Sequence, residues 1–440
     1  MSEIQTITVE GTKYDIRLNN LPTNFGKGTG ENSIIENQGC IASDICSHAE
    51  GNNTQATSDG AHAEGNGAIA SNSGAHAEGN GAIASGSGAH AEGYYTQADG
   101  DSSHSEGANT QANGSNAHAE GYYTQANLNA HAEGSDSQAI GSGSHAEGYY
   151  TKADGDSSHS EGSNTQASNM NAHAEGEGSK ASGKDSHAEG FLTTAETYCL
   201  HTQGQYNKVN TGTADSYSAT QNAMVIGNGT SNSALSNAFR IDFLGATYGL
   251  SAFNSSGADY AEYFEWTDAN TNNEDRIGYF VELTDDGKIQ KATSQNNVFG
   301  IVSGTAGVIG DSYEDQWNGM YDLDKYGRFQ YEDVEITYPA KTVVRNGKTI
   351  ITQEEKTITE KHIKLNPNYD NNKEYIPRSK RPEWDCIGVL GKIIVRDDGT
   401  CQINQKCKCN NNGIATLSDD NTGYKVLSRI DENTIKVWFR

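Results

Sequence analysis

A fourteen-residue period governs the first half of this chain. Histidine stands at positions 48, 62, 76, 90, 104, 118, 131, 145, 159, 173, 187 and 201, always fourteen apart except for the thirteen between His118 and His131. Each unit reads S/A-H-A-E-G-x-x-T-Q-A-x-G-x-x. A larger duplication is superimposed: AEGYYTQADGDSSHSEGANTQA (91–112) returns 55 residues later as AEGYYTKADGDSSHSEGSNTQA (146–167). A short fixed period means stacked units, each burying its face only against its neighbours. A helical hairpin needs about thirty residues or more, so fourteen exclude it. Two short strands and two tight turns fit. The one missing residue falls in a loop, where GYYTQADGDSSHSEG becomes GYYTQANLNAHAEG.

Side chains alternate along a strand. In SHAEG, Ser47, Ala49 and Gly51 therefore share one face and His48 and Glu50 the other, while Thr54 and Ala56 continue the small-residue face. The small face belongs inside a narrow coil. Twelve coils at roughly 4.8 Å per turn give a rod of about 55 Å. A lone coil filled with Ala and Ser buries far too little apolar surface to offset the entropy of ordering it. Association around a three-fold axis would supply the missing contacts. The expected seam is His48, Glu50, His62, Glu64, His76, Glu78, His90 and Glu92, with their repeats further on.

Composition limits the rest. Only 34% of residues are hydrophobic and 50 are Gly, values that would suit a disordered chain. Strict phase argues against disorder. A formal charge of −27 leaves no basic face for nucleic acid. MSEIQTITVEGTKYDIRL has no apolar signal-like region, and no run of eighteen apolar residues exists to span a bilayer. The seven Cys, scattered from Cys40 to Cys409, read as reduced thiols of a protein made in a cytoplasm.

The repeat resembles the left-handed parallel β-roll of trimeric adhesin heads of the YadA type, built on a fourteen-residue S-V-A-I-G-x-x-S-x-A-x-G unit. The likeness covers about residues 33–205. This chain departs at the two larger positions, Val and Ile there, His and Glu here. The resemblance implies a trimer, and the departure implies a polar seam in which His bonds Glu of its own or a neighbouring chain.

Three readings of the His-x-Glu ladder compete. Catalysis or metal binding needs one constellation rather than twelve copies, although a three-fold axis would gather three His per layer, a set suited to Zn or Ni. The scaffold reading is preferred, and neither a metal nor a cofactor is assigned. Because His titrates near pH 6.5, mild acid should charge the stack and weaken the trimer. The pairs Tyr94–Tyr95, Tyr122–Tyr123 and Tyr149–Tyr150 occupy one slot in alternate coils, about 10 Å apart along the rod. They are read as packing or corner capping, or as an aromatic strip for a host glycan or cell-wall polymer.

After about residue 205 the repeat fades into NAMVIGNG and NAFRIDFLGATYGL, and from about 251 the chain turns β-rich. TVVRNGKTII (342–351) predicts a hairpin with Asn346-Gly347 at its turn. IGVLGKIIVRDDGTCQI (387–403) predicts a buried strand, a turn and a second strand. SSGADYAEYFEW (255–266), NEDRIGYFV (273–281) and RPEWDCIGVLGKIIVR (381–396) form a set. It resembles the self-processing intramolecular chaperone domain that ends phage appendage and tail-fibre proteins, a likeness covering about 251–440. The resemblance implies a domain that templates the trimer and then cuts the chain near its own start. By position, the cut falls at Ala258–Asp259 and Glu262 is the catalytic carboxyl beside Asp259. A carboxyl held close to a peptide bond can attack it while a second acts as general acid/base, and two such groups close together should push one pKa up. The family pattern often has a hydroxyl residue before the Asp; this chain has Ala258. Cys386, Cys401, Cys407 and Cys409 lack a C-x₂-C pair and read as unpaired thiols rather than a zinc site. His362, in a Lys-rich stretch, is expected to face solvent.

The expected molecule is all-β: a trimeric left-handed parallel β-roll of fourteen-residue repeats plus a C-terminal β-rich chaperone domain. Its parts are an N-terminal attachment segment (1–32, with ITVEGTKYDIRL as a short strand), the β-roll (33–205), a neck (206–250) and the chaperone/auto-processing domain (251–440). The expected function is a virion tail fibre or appendage, with a phage tail or baseplate protein as partner at its N-terminus and a host surface glycan or cell-wall polymer at the rod. A cell-surface adhesin is the alternative, and a glycan-degrading tail spike ranks third.

Overall fold

The computed structural model describes residues 4–9, 12–17, 25–36, 39–209, 212–315, 317–345 and 348–440. They fall into two compact units: Met1–Ser251 with Asp333–His362, and Ala252–Glu332 with Ile363–Arg440. Among the described residues no helix is long and apolar enough to cross a membrane.

The first unit is the stacked coil that the period requires. Each repeat supplies a five-residue strand, from His48–Asn52 to His201–Gln205, and a two-residue strand such as Gln55–Ala56 or Thr194–Ala195. Like residues stack in parallel register: His76 pairs with His90, Ala77 with Ala91, Glu78 with Glu92 and Gly79 with Gly93. The small residues line the inside; Ala49, Ala63, Ala77, Ala91, Thr54, Thr96 and Thr110 are fully buried. Backbone approach between coils is close enough to demand glycine. Gly93 has φ +123°, and a Cβ there would strike the carbonyl of Gly107 in the next coil. The thirteen-residue coil keeps register, His118 with His131 and Gln125 with Gln138, because the turn at Asn127–Asn129 absorbs the deletion.

The stack runs past the repeat. Asn222–Asn228 pairs in parallel with His201–Gln205, and Asn237–Asp242 and Thr247–Gly249 then add antiparallel strands. ITVEGTKYDIRL was expected as one strand; Ile4–Val9 and Thr12–Arg17 instead form an antiparallel pair. Lys341–Arg345 and Lys348–Gln353 pair as the expected hairpin, whose Asn346-Gly347 turn lies outside the described residues. His362 is half-exposed rather than free in solvent: its Nε2 lies 3.0 Å from the buried Glu360 and its ring 5.2 Å from Tyr217.

The second unit is a mixed sheet around one long strand, Trp384–Arg396. It pairs with Asp259–Glu265, Gly300–Val302 and Thr434–Phe439. Phe280, Ile301, Ile393, Val395, Val426, Ile435 and Val437 fill one core, and Trp266, Val281, Ile289, Val302 and Ile387 another. The expected second strand at TCQI is absent. Asp398 Oδ1 accepts from the Thr400 N–H at 3.1 Å and from its hydroxyl, holding the chain in a turn until Lys406–Cys409 begins the next strand.

Candidate functional site

The Ala258–Asp259 bond enters a strand that is clamped on both sides. Asp259–Glu265 runs parallel to Ala306–Gly310 and antiparallel to Trp384–Arg396. The Ala258 N–H donates to the Thr305 carbonyl at 3.1 Å, and the Ala258 carbonyl accepts from the Lys392 N–H at 3.1 Å. The Thr305 hydroxyl donates to Asp259 Oδ1 at 3.2 Å. Asp259 is 6% exposed, and its Oδ2 is buried with no hydrogen-bond partner. Glycines make this close packing possible. A Cβ on Gly391, at φ +131°, would meet the Ala258 oxygen at 2.5 Å; one on Gly388 would meet Asp259 Oδ2 at 2.7 Å.

Asp259 and Glu262 are not brought together. Asp259 and Ala261 are buried, whereas Tyr260 and Glu262 turn the other way, and the Tyr260 hydroxyl donates to Glu262. That bond holds the Tyr260 phenol above its usual pKa. The two carboxylates therefore flank the strand with separate partners, and the close pair expected from the Asp-x-x-Glu spacing does not form. Cys386 is no substitute nucleophile: burial, with Asp259 and Asp385 nearby, pushes its thiol up to about 11. Burial likewise lifts Cys409 to about 12, so both are neutral thiols at neutral pH. The Lys392 donor was missed in the sequence because it is a backbone group. The available signal was Gly391 inside a strand, which marks close backbone approach.

On the first unit the twelve imidazoles form one continuous stack, ring centroids 4.5–4.9 Å apart and planes within 16°. Their Nε2 atoms are buried and make no hydrogen bond. The closest approaches to Glu are 3.7 Å, His173 to Glu175 and His201 to Glu189, too long for the own-chain His–Glu bond that was expected. Burial, with neighbouring His adding to it, depresses six of the imidazoles. His173 falls to about 4, lowered by burial and by His187 and His159 against the opposing pull of Glu161 and Glu189. His76, His90, His131, His159 and His187 are also lowered.

The Tyr pairs are half-exposed and T-shaped, each with centroids 4.5 Å apart. Along one edge the register runs Tyr94, Ala108, Tyr122, Ser135, Tyr149. Tyr95, Tyr123 and Tyr150 sit at φ +52°, +54° and +55°, a left-handed turn position that other coils give to Asn109, Asp136 and Asn164.

Comparison with known proteins identifies a family. Residues 209–434 match the family described as Peptidase_G2, IMC autoproteolytic cleavage domain. The chain belongs to this family. That description is of a domain that cuts its own chain, and the match takes in residues 252–332 and 363–434 of the second unit together with 209–251 and 333–362 of the first. The chain is 35% identical over 162 residues (37% of its length) to the pre-neck appendage protein of Bacillus phage B103. It is 34% identical over 143 residues (32%) to that of Bacillus phage phi29. It spans only 16% and 14% of the length of these relatives. Among solved structures, it is similar to the C-terminal fragment of phi29 gene product 12, at 30% identity and TM-score 0.31, covering 41% of this chain and all of that one. It is also similar to pre-mature phi29 gene product 12, at 18% identity and TM-score 0.41, covering 98% and 42% of the two chains.

Proposed function

We propose that this chain is a structural appendage of a phage or phage-tail-like particle, assembled as a homotrimer, whose C-terminal unit templates assembly and then cuts the chain at Ala258–Asp259. The observation that carries the cut is the Lys392 N–H on the Ala258 carbonyl. A fixed backbone donor sits where negative charge must develop, which is how oxyanion sites lower a barrier. The relatives' description as appendage proteins supports the particle.

A workable route needs no hydroxyl at residue 258. The Asp259 carboxylate attacks the Ala258 carbonyl carbon, and the Lys392 N–H takes the growing charge on oxygen. The C–N bond breaks, and the Asp259 nitrogen gains a proton to become a new N-terminus. Water then opens the resulting anhydride, leaving the Ala258 carboxylate and restoring that of Asp259. Glu262, bonded to Tyr260 on the other face of the strand, is the proposed proton relay, acting through solvent rather than by direct contact with the Asp259 nitrogen. Thr305 positions the Asp259 carboxylate. Asp259→Asn should leave one band of 47.1 kDa on a denaturing gel. Glu262→Gln should slow cutting, and the unmutated chain should give pieces of roughly 27 and 20 kDa, from about 110 Da per residue. Cutting that survives Asp259→Asn refutes this route.

The His/Glu face is the proposed trimer seam, and residues 1–32 the proposed attachment to a tail or baseplate protein. The Tyr strip is the proposed contact for a host surface glycan or cell-wall polymer. Support comes from the backbone: a bulky Tyr held at a left-handed position costs stability that Asn would not. Three such residues exposed in one line suit a role outside the fold. Replacing all six Tyr by Asn or Ser should abolish pull-down on purified host envelope and leave the melting temperature unchanged or higher. Undiminished binding refutes the strip.

A further inference from the structure

We propose that the His–Glu ladder binds divalent transition-metal ions, of the zinc, nickel and copper class, between consecutive coils of a single chain. This is independent of the trimer: each site draws on two neighbouring His and one Glu of the same protomer.

Three observations converge. First, the twelve Nε2 atoms are buried and unpartnered. A buried polar atom without a partner is costly, and one repeated through a whole stack calls for a ligand. Second, the donors are already grouped. In His76–Glu78–His90, His90–Glu92–His104, His104–Glu106–His118, His118–Glu120–His131 and His159–Glu161–His173, one ligand atom per residue lies within 4.8 Å of the others. Zinc holds nitrogen and carboxylate oxygen at about 2.0–2.2 Å, so ligand atoms around one ion stand about 3–4 Å apart. Small side-chain rotations close that gap, and the register of the coils keeps the backbone fixed while they do. Third, the donors recur in strict register: parallel pairing sets His76 beside His90 and Glu78 beside Glu92, so the same ligand set returns at each coil.

The chemistry of the set selects the ion. Two imidazoles and a carboxylate suit zinc, nickel or copper; calcium and magnesium prefer all-oxygen sites. Water completes the coordination. Charge repulsion limits the loading. Neighbouring gaps are separated by about one coil, near 4.8 Å, and two dications at that distance repel strongly even at an effective dielectric of 20. The twelve rings make eleven stacked gaps, so alternate filling gives roughly five or six ions per chain. Each ion ties one coil to the next and stiffens the rod.

The test uses the untagged full chain, stripped with chelator and dialysed against ZnCl2, NiCl2 or CaCl2 at pH 7.5. Bound metal is measured by mass spectrometry, and melting by far-ultraviolet circular dichroism. The expected result is several zinc or nickel ions per chain, no calcium, and a melting temperature raised by about 5–10 °C. The triple variant Glu78→Gln, Glu92→Gln, Glu106→Gln keeps the His stack and removes carboxylate ligands. It takes the carboxylate from three of the eleven gaps, so it should lose one or two of the roughly five or six ions and a matching part of the temperature shift while melting like the unmutated chain in chelator. Cobalt substitution should give visible absorption bands of a nitrogen–oxygen site. Equal uptake by chain and variant, one ion or fewer per chain, or calcium bound as well as zinc would each overturn the proposal. Uptake that disappears when the protein is diluted to monomer would overturn the assignment of the ligands to a single chain.

Discussion

Two glycines of one coil provide a sharp test of the stacking geometry. Gly88 and Gly93 both have positive φ, +62° and +123°. A Cβ on Gly88 would meet nothing within 4 Å, whereas one on Gly93 would run into the backbone of Gly107. Gly88→Ala carries only left-handed strain of about 1–2 kcal/mol, offset by about 0.4–1 kcal/mol from a stiffer unfolded chain. Gly93→Ala carries strain of about 1–3 kcal/mol in a region close to glycine-only, and overpacking of about 1–3 kcal/mol more. The difference between the variants is therefore about 3 kcal/mol, or about 6–12 °C in melting temperature for a unit of this size. Thermal unfolding by circular dichroism, at fixed chain concentration and scan rate, measures it. If Gly88→Ala destabilises as much as Gly93→Ala, the coils do not stack in this register.

Further outcomes follow from single groups. Gly391→Ala places a methyl against the Ala258 carbonyl and should slow the proposed self-cutting at least about tenfold, a loss of about 1.4 kcal/mol, with the second unit still melting cooperatively; unchanged cutting kinetics would remove the Lys392 clamp from the mechanism. In chelator-treated protein, the depressed imidazoles make the folded rod favour neutral rings, so their contribution is complete above the unfolded pKa of 6.5 and drains away as the pH falls towards about 4. A melting temperature equal at pH 7.5 and 4.5 would contradict this. In the second unit, Asp268 is held at about 2, chiefly by its bond to Arg276, so that pair stabilises above the usual carboxylate pKa and fails between about pH 4 and 2. Asp268→Asn should flatten that acid limb of the stability curve, and an unaltered limb would assign it to other carboxylates.

The fold of the first unit was legible because the repeat makes register and composition say the same thing. His, Ala, Glu and Gly recur in phase, and only small residues fit inside, so Ala49 and Thr54 had to face inward. The neck strands NAMVIGN and NAFRID were legible as strands, but not that Asn222–Asn228 extends the stack, since Met224 and Ile226 replace His and Glu. The placement of residues 333–362 with the first unit was not legible either. Alternating strands such as Tyr331–Tyr338 look the same whichever neighbours they meet. At the candidate cutting site, the Ala258–Asp259 bond and both carboxylates were named from the sequence. Their placement did not, because an i,i+3 spacing on a strand puts Asp259 and Glu262 on different faces. Thr305 and Lys392 lie 46 and 133 residues from Asp259, and only sheet pairing brings them there.

The most direct test of the self-cutting account is the intact mass of the full chain after expression and a long incubation, with N-terminal sequencing of any product. The account predicts two pieces, one ending at Ala258 and one whose first residue is Asp259. A single uncut species, or a new N-terminus elsewhere, would contradict it.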